Sequence, residues 1–109
     1  MILDKTGNTT TITQEKFTVI ELIKKLEALY PKFKNDNIIV VLTALEIKTT
    51  DIVEFLQISN IHKNINHSFV IVSDKVNLDE IPDELIVAPT QQEAFDIIEM
   101  EEMERDLGL

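Results

Sequence analysis

The 109-residue sequence has no cysteine and no tryptophan, and only two glycines and three prolines. Without cysteine there can be no thiol nucleophile, thiolate metal site or disulfide, an absence that fits a reducing compartment. The glycines, Gly7 and Gly108, are too few and wrongly placed for a phosphate-cradling loop, which needs them between a strand and its following helix. His62 and His67 are the only histidines, and their spacing matches neither HxH nor HxxxH, so no metal site is expected. No stretch approaches the roughly 18 consecutive apolar residues of a membrane span. The opening Met1-Ile2-Leu3-Asp4-Lys5 lacks the form of a signal peptide. The expectation is a cytoplasmic protein without membrane contact, cofactor or metal.

Basic charge is scarce as well, and unevenly so. The net charge is −10. Residues 1–73 hold 8 acidic and 8 basic side chains, whereas 74–109 hold 12 acidic and 2 basic, so the final third carries the whole excess. Such a surface is poor for nucleic acid, whose phosphates need Lys and Arg. It suits a solvated helix face or a basic protein partner.

What is present is a single-domain core over residues 1–109, with apolar residues making up 44% of the chain. The run Ile38-Ile39-Val40-Val41-Leu42 reads as a strand covered on both faces, extending as far as Leu45. Phe69–Val72 and Leu85–Ala88 read as two more. Met1–Leu3 and the threonine-rich Thr9–Gln14 predict an N-terminal hairpin turned at Gly7-Asn8, with the second strand at the sheet edge. Thr18 and Glu21 match a capping box before a helix whose buried stripe is Ile20, Ile23, Leu26, Tyr30 and Phe33, flanked by Val19, Leu22 and Leu29. Pro31 should end or kink that helix. Thr50 or Asp51, with Glu54, should cap a second helix with Ile52, Phe55, Leu56 and Ser59 inward, ending at Asn64-Ile65-Asn66. Asp74–Glu84 reads as polar, anchored by Leu78 and Ile81. Thr90 and Glu93 begin a last helix with a further capping box. Alternating strands and helices predict an α/β fold: a mixed sheet with an N-terminal β-hairpin and parallel strands joined by helices.

The last helix has two apolar groups. Ala94, Phe95, Ile97 and Ile98 share one side, while Met100, Met103 and Leu107 lie opposite at i, i+3, i+7 spacing. The first group should dock on the sheet. The second, in an acidic helical extension over 99–109, should meet another chain or another part of the domain, or lie in a frayed end. The acids Glu99, Glu101, Glu102, Glu104 and Asp106 have neither the 12-residue loop nor the glycine turn of an EF-hand, and a solvated face is expected.

The order of elements from Met1 to Ile98 resembles the STAS domain, the α/β module of anti-sigma factor antagonists and of sulfate-transporter tails. In the antagonists a buried strand leads to a D-S-S-G or D-S-T-G motif whose first hydroxyl residue is phosphorylated by a partner kinase. Ile47-Lys48-Thr49-Thr50-Asp51 occupies the matching place, with Thr49 at the phospho-acceptor position. Lys48 stands where the family has aspartate, and Asp51 where it has glycine. The resemblance therefore implies a SpoIIAA-like single domain acting by regulatory protein contact, without efficient phospho-switching. Charge alone is balanced at Thr49: a helix N-terminus and Lys48 attract phosphate, whereas Glu46 and Asp51 repel it.

No catalytic constellation stands out, and a non-enzymatic module is expected. Its partner-binding residues are expected to be Lys48, Thr49, Thr50, Asp51, Glu54 and Gln57, with Met100, Met103 and Leu107 as a second surface. The partner would be a protein, of anti-sigma-factor or kinase-like type, or a second copy. The alternative is a small-ligand or nucleotide-binding domain using the carboxyl ends of its parallel strands.

Overall fold

The structure is a computed structural model, and it describes residues 1–44 and 47–108. Leu45 and Glu46, expected at the strand end and in the Thr49 charge balance, lie outside the described residues, but the strand itself already ends at Val41, short of the expected extension. The order is β1 (Ile2–Thr6), β2 (Thr9–Thr13), α1 (Val19–Phe33), β3 (Asn37–Val41), α2 (Thr49–Val53), α3 (Leu56–Asn64), β4 (Phe69–Val72), a 3-10 turn (Leu78–Glu80), β5 (Ile86–Ala88) and α4 (Gln91–Asp106). The sheet runs β1-β2-β3-β4-β5, with β1 antiparallel to β2 and every later pairing parallel. The expected α/β class, hairpin and mixed sheet are all present.

Period-2 alternation divides the strands between two cores. Ile38, Val40, Phe69 and Ile71 face one way and pack with Leu22 and Leu26 of α1, Ile52 of α2, and Phe55 and Ile58. Ile39, Val70 and Val72 face the other way and pack with Ala88, Ala94 and Ile98 beneath α4. Fully apolar strands arise because helices cover both faces. At about 25 cal/mol per Å² of buried apolar surface, each of the Val, Leu, Ile and Phe side chains contributes roughly 1.5–3 kcal/mol before entropy is counted.

Local chemistry explains the element boundaries. Gly7 takes φ +60 at the first central position of the hairpin, which an L side chain resists. At the start of α1 the box is complete: Glu21 N–H donates to Thr18 Oγ1 at 3.2 Å, and Thr18 N–H donates to Glu21 Oε1 at 3.0 Å. The Thr18 backbone N–H, with the Thr18 hydroxyl beside it, holds the Glu21 carboxyl below its usual range. α3 ends in a Schellman pattern, with His67 N–H bonded to the His62 carbonyl and Asn66 N–H to that of Lys63. Asn66 supplies the left-handed residue at φ 66. Thr90 Oγ1 accepts from Glu93 N–H at 3.2 Å, one half of the box expected there.

Four details differ from the sequence reading. β2 is interior rather than an edge, because β3 pairs with it in parallel and buries Thr9, Thr10 and Thr11. β1 takes the edge, exposed along its whole length. In α1 the buried positions are Val19, Leu22, Leu26 and Phe33, while Ile20 faces solvent. The stripe keeps Leu26 and Phe33 but is rotated by about 50°, half a residue step, relative to the expected one, and Pro31 sits inside the last turn, which continues to Phe33. Finally, the second helix is broken into α2 and α3 by 3-10-type bonds, Glu54 N–H to the Asp51 carbonyl and Phe55 N–H to that of Ile52. Leu78, expected as an anchor, is exposed on the 3-10 turn.

Candidate functional site

Backbone geometry places Lys48–Asp51 at the opening of α2, after the chain leaves the carboxyl end of β3. Lys48 holds the cap position, where Asp51 Oδ2 accepts its backbone N–H at 3.0 Å. An ammonium has no lone pair to accept an amide, so only this half of a capping box exists. Thr50 does not cap the helix, contrary to the expectation from sequence; Thr49 and Thr50 are its first two residues. Lys48 and Thr50 are exposed, whereas Thr49 and Asp51 are half-buried.

The Thr49 hydroxyl donates to Glu80 Oε2 at 3.0 Å, tying α2 to the 3-10 turn beyond β4. A phosphate carrying about −1.5 to −2 charge at that oxygen would meet Glu80 directly, with Asp51 two residues away. The offsetting attraction of the helix dipole is small, because α2 has five residues and little more than one turn. Geometry therefore tips the balance described above toward repulsion.

Glu54 and Gln57 follow directly on this turn, both exposed. They line an open groove between α1 and α3 of about 200 Å³, whose other walls are Ile23, Glu27, Tyr30, Ile58 and Ile61. Aliphatic side chains floor it, and the two glutamates make its rim acidic. At the carboxyl end of β2 lies a shallower depression of about 390 Å³, lined by Gln14–Val19, Ala44 and Asp51. Gln14 closes its inner wall. That side chain is 1% exposed, donates to the Phe17 carbonyl at 2.6 Å, and accepts from Thr43 and Ala44 N–H at 3.0 and 3.3 Å.

The second expected surface lies on the other side of the sheet. α4 runs unbroken from Gln91 to Asp106, so the segment expected as an extension is its second half. Its inner side packs on β3, β4 and β5 through Ala94 and Ile98. Arg105 fastens the last turn, donating to Ser68 Oγ at 3.2 Å and to Asn37 Oδ1 at 3.4 Å at the amino ends of β4 and β3. Met100, Met103 and Leu107 point away, 63%, 59% and 71% exposed. The two sets of expected contact residues are therefore on opposite faces and are not brought together.

One polar centre escaped the sequence reading. His62 is fully buried, with Nδ1 2.7 Å from the Tyr30 hydroxyl and Nε2 2.6 Å from the Asp36 carbonyl. Its position two turns after Phe55, on the helix face that carries Ser59, was the available signal; both of those residues are buried too. The buried ring meets Phe69 and Tyr30 edge-on and lies beside His67. Among the described residues no three His, Asp or Glu side chains are grouped to hold a metal ion, and no helix is long and apolar enough to cross a membrane. Compared with known proteins, the sequence matches no family model and no curated protein.

Proposed function

We propose that this chain is a STAS-like regulatory module that acts by binding another protein and carries out no chemistry of its own. The observation that supports this most directly is the groove between α1 and α3, where Glu54 and Gln57 border the apolar floor formed by Ile23, Ile58 and Ile61. An open apolar concavity with a polar rim is the arrangement that protein interfaces use for a central anchor residue. The exposed Lys48 and Thr50 extend the surface toward the sheet's carboxyl end. The element order adds weight, since the Lys48–Asp51 segment lies between a buried central strand and a helix start, as the resemblance requires.

In this reading the partner is a regulator of the anti-sigma-factor or kinase-like type, and nucleic acid is disfavoured by the net charge of −10. Phosphorylation at Thr49 is not the switch, because the hydroxyl is already donated to Glu80 in an acidic setting. The test is affinity purification from the native cell with wild-type protein and with Glu54→Arg/Gln57→Arg. A sigma-factor regulator or kinase retained by the wild type and released by the double variant is the expected result. Recovery of ribosomes or RNA alone would overturn the reading, and mass spectrometry of the same material should find Thr49 unmodified.

The alternative, a small-ligand domain, has one observation in its favour, the depression of about 390 Å³ at the carboxyl end of β2. Against it, the sheet order never reverses, so there is no crevice at a topological switch point. A thermal-shift screen with nucleotides and small anions separates the readings: stabilisation that Asp51→Ala or Lys16→Ala abolishes would favour the ligand.

A further inference from the structure

The exposed half of α4 has the layout of one strand of a coiled coil. Measured at 100° per residue, Met103, Leu107 and Met100 fall within about 60° of one another, centred almost opposite Arg105. Their spacing places them at successive seam positions, a, d and a of a heptad. Glu99 and Asp106 then occupy the g positions on one side of the seam, and Glu104 the e position on the other. All three are exposed, and none is engaged in an ion pair among the described residues. Asp96 and Glu93 prolong the acidic surface toward the helix start. The single base of the helix, Arg105, is turned inward onto Ser68 and Asn37. That contact holds the seam outward on a helix whose other side is docked.

We propose that this face docks a basic amphipathic helix, with apolar residues at its own a and d positions and Lys or Arg at e and g. Charge complementarity selects that occupant. In a parallel pair g faces e of the other helix, and in an antiparallel pair g faces g and e faces e. Every such position on this seam is acidic, so a second copy would set like charges against one another in either orientation. A basic helix converts each repulsion into attraction at the same geometry. Methionine at two seam positions gives flexible side chains that tolerate varied partners. The seam spans about 10 Å, which implies a weak contact sensitive to salt. This surface lies on the opposite side of the sheet from the α1–α3 groove and stands or falls independently of it.

The test uses the full chain and two synthetic three-heptad helical peptides with Leu at a and d, one with Lys and the other with Glu at e and g. Methyl NMR of Met100 and Met103 reports binding. The expected result is that the Lys peptide shifts both methyls and binds about tenfold or more tighter than the Glu peptide, a preference that shrinks in high salt. Glu99→Lys/Glu104→Lys should weaken or invert the preference, and Met103→Ser/Leu107→Ser should weaken binding of the Lys peptide about tenfold. These positions are exposed, and a thermal melt verifies that each variant folds. Equal binding of both peptides, unmoved methionine methyls, or a concentration-dependent dimer broken by Met103→Ser/Leu107→Ser would each overturn the proposal.

Discussion

The Tyr30 hydroxyl on α1 lies 2.7 Å from Nδ1 of His62 on α3, and the other ring nitrogen lies 2.6 Å from the carbonyl of Asp36, which leads into β3. A carbonyl can only accept, so Nε2 carries the proton and Nδ1 accepts from tyrosine. The neutral imidazole is the form that satisfies all three groups at once. Two helices covering one face of the sheet and the turn that enters β3 are joined through this ring.

Stability should therefore fall as pH drops. Burial, assisted by the neighbouring His67, lowers the His62 pKa to about 4 against the pull of the Asp36 carbonyl. Between about 4 and the ordinary value of 6.5 the unfolded chain binds this proton and the folded chain does not. The contribution is complete above that ordinary value and lost progressively on the way down to about pH 4, of order 3 kcal/mol in all. Denaturant melts of wild type and His62→Phe from about pH 7 to 4 should diverge by that slope. An NMR titration placing the His62 midpoint near its ordinary value would contradict it.

Gln14→Leu should destabilise the fold by about 2–3 kcal/mol. The leucine keeps the volume but strands the amides of Thr43 and Ala44 and the carbonyl of Phe17, all bonded to the buried Gln14 side chain. Urea denaturation measures the loss, and hydrogen exchange should show it concentrated at Thr43 and Ala44. A change below about 0.5 kcal/mol would mean that water replaces these bonds without penalty.

Ser59→Ala should leave stability unchanged or raise it by about 1 kcal/mol. The Ser59 side chain is fully buried on α3, and its Oγ has no hydrogen-bond partner. Alanine removes that unpaired hydroxyl and has the higher helix propensity. A loss of more than about 1 kcal/mol in a thermal melt would show that the hydroxyl is satisfied by a bound water.

Much of the fold was legible because local patterns there agree with the tertiary environment. The β-branched run at 38–41 could be stable only between two covering layers, and it lies in a central strand. The Thr18–Glu21 and Thr90–Glu93 signals began helices, since caps act within four residues. The readings that failed needed non-local information. Thr9–Gln14 looked like an edge because threonine tolerates both settings, and only pairing with β3 buried it. The apolar pattern of α1 is wide enough to allow two rotations, one with Ile20 inward, and the sheet selects the one that leaves Ile20 in solvent.

The candidate surfaces divide in the same manner. The opposition of Ile98 to Met100, Met103 and Leu107 is a property of helical period alone, and it survived unchanged. The link from Thr49 to Glu80, separated by 31 residues, could not be read from either residue, because a hydroxyl and a carboxylate carry no record of what will face them. His62 is the sharpest instance. Its sequence neighbourhood describes a histidine near a helix end, and only the closing of α1 and α3 over the sheet brought Tyr30 and the Asp36 carbonyl to its two nitrogens.

Periodicity, capping residues and the placement of charge were thus set by the order of amino acids, because each acts over a turn or two of chain. Which strand became the edge, which hydroxyl found a partner and which titratable group lost its water were decided by three-dimensional packing. Those outcomes depend on contacts between segments tens of residues apart, where burial decides whether a polar group must be paired.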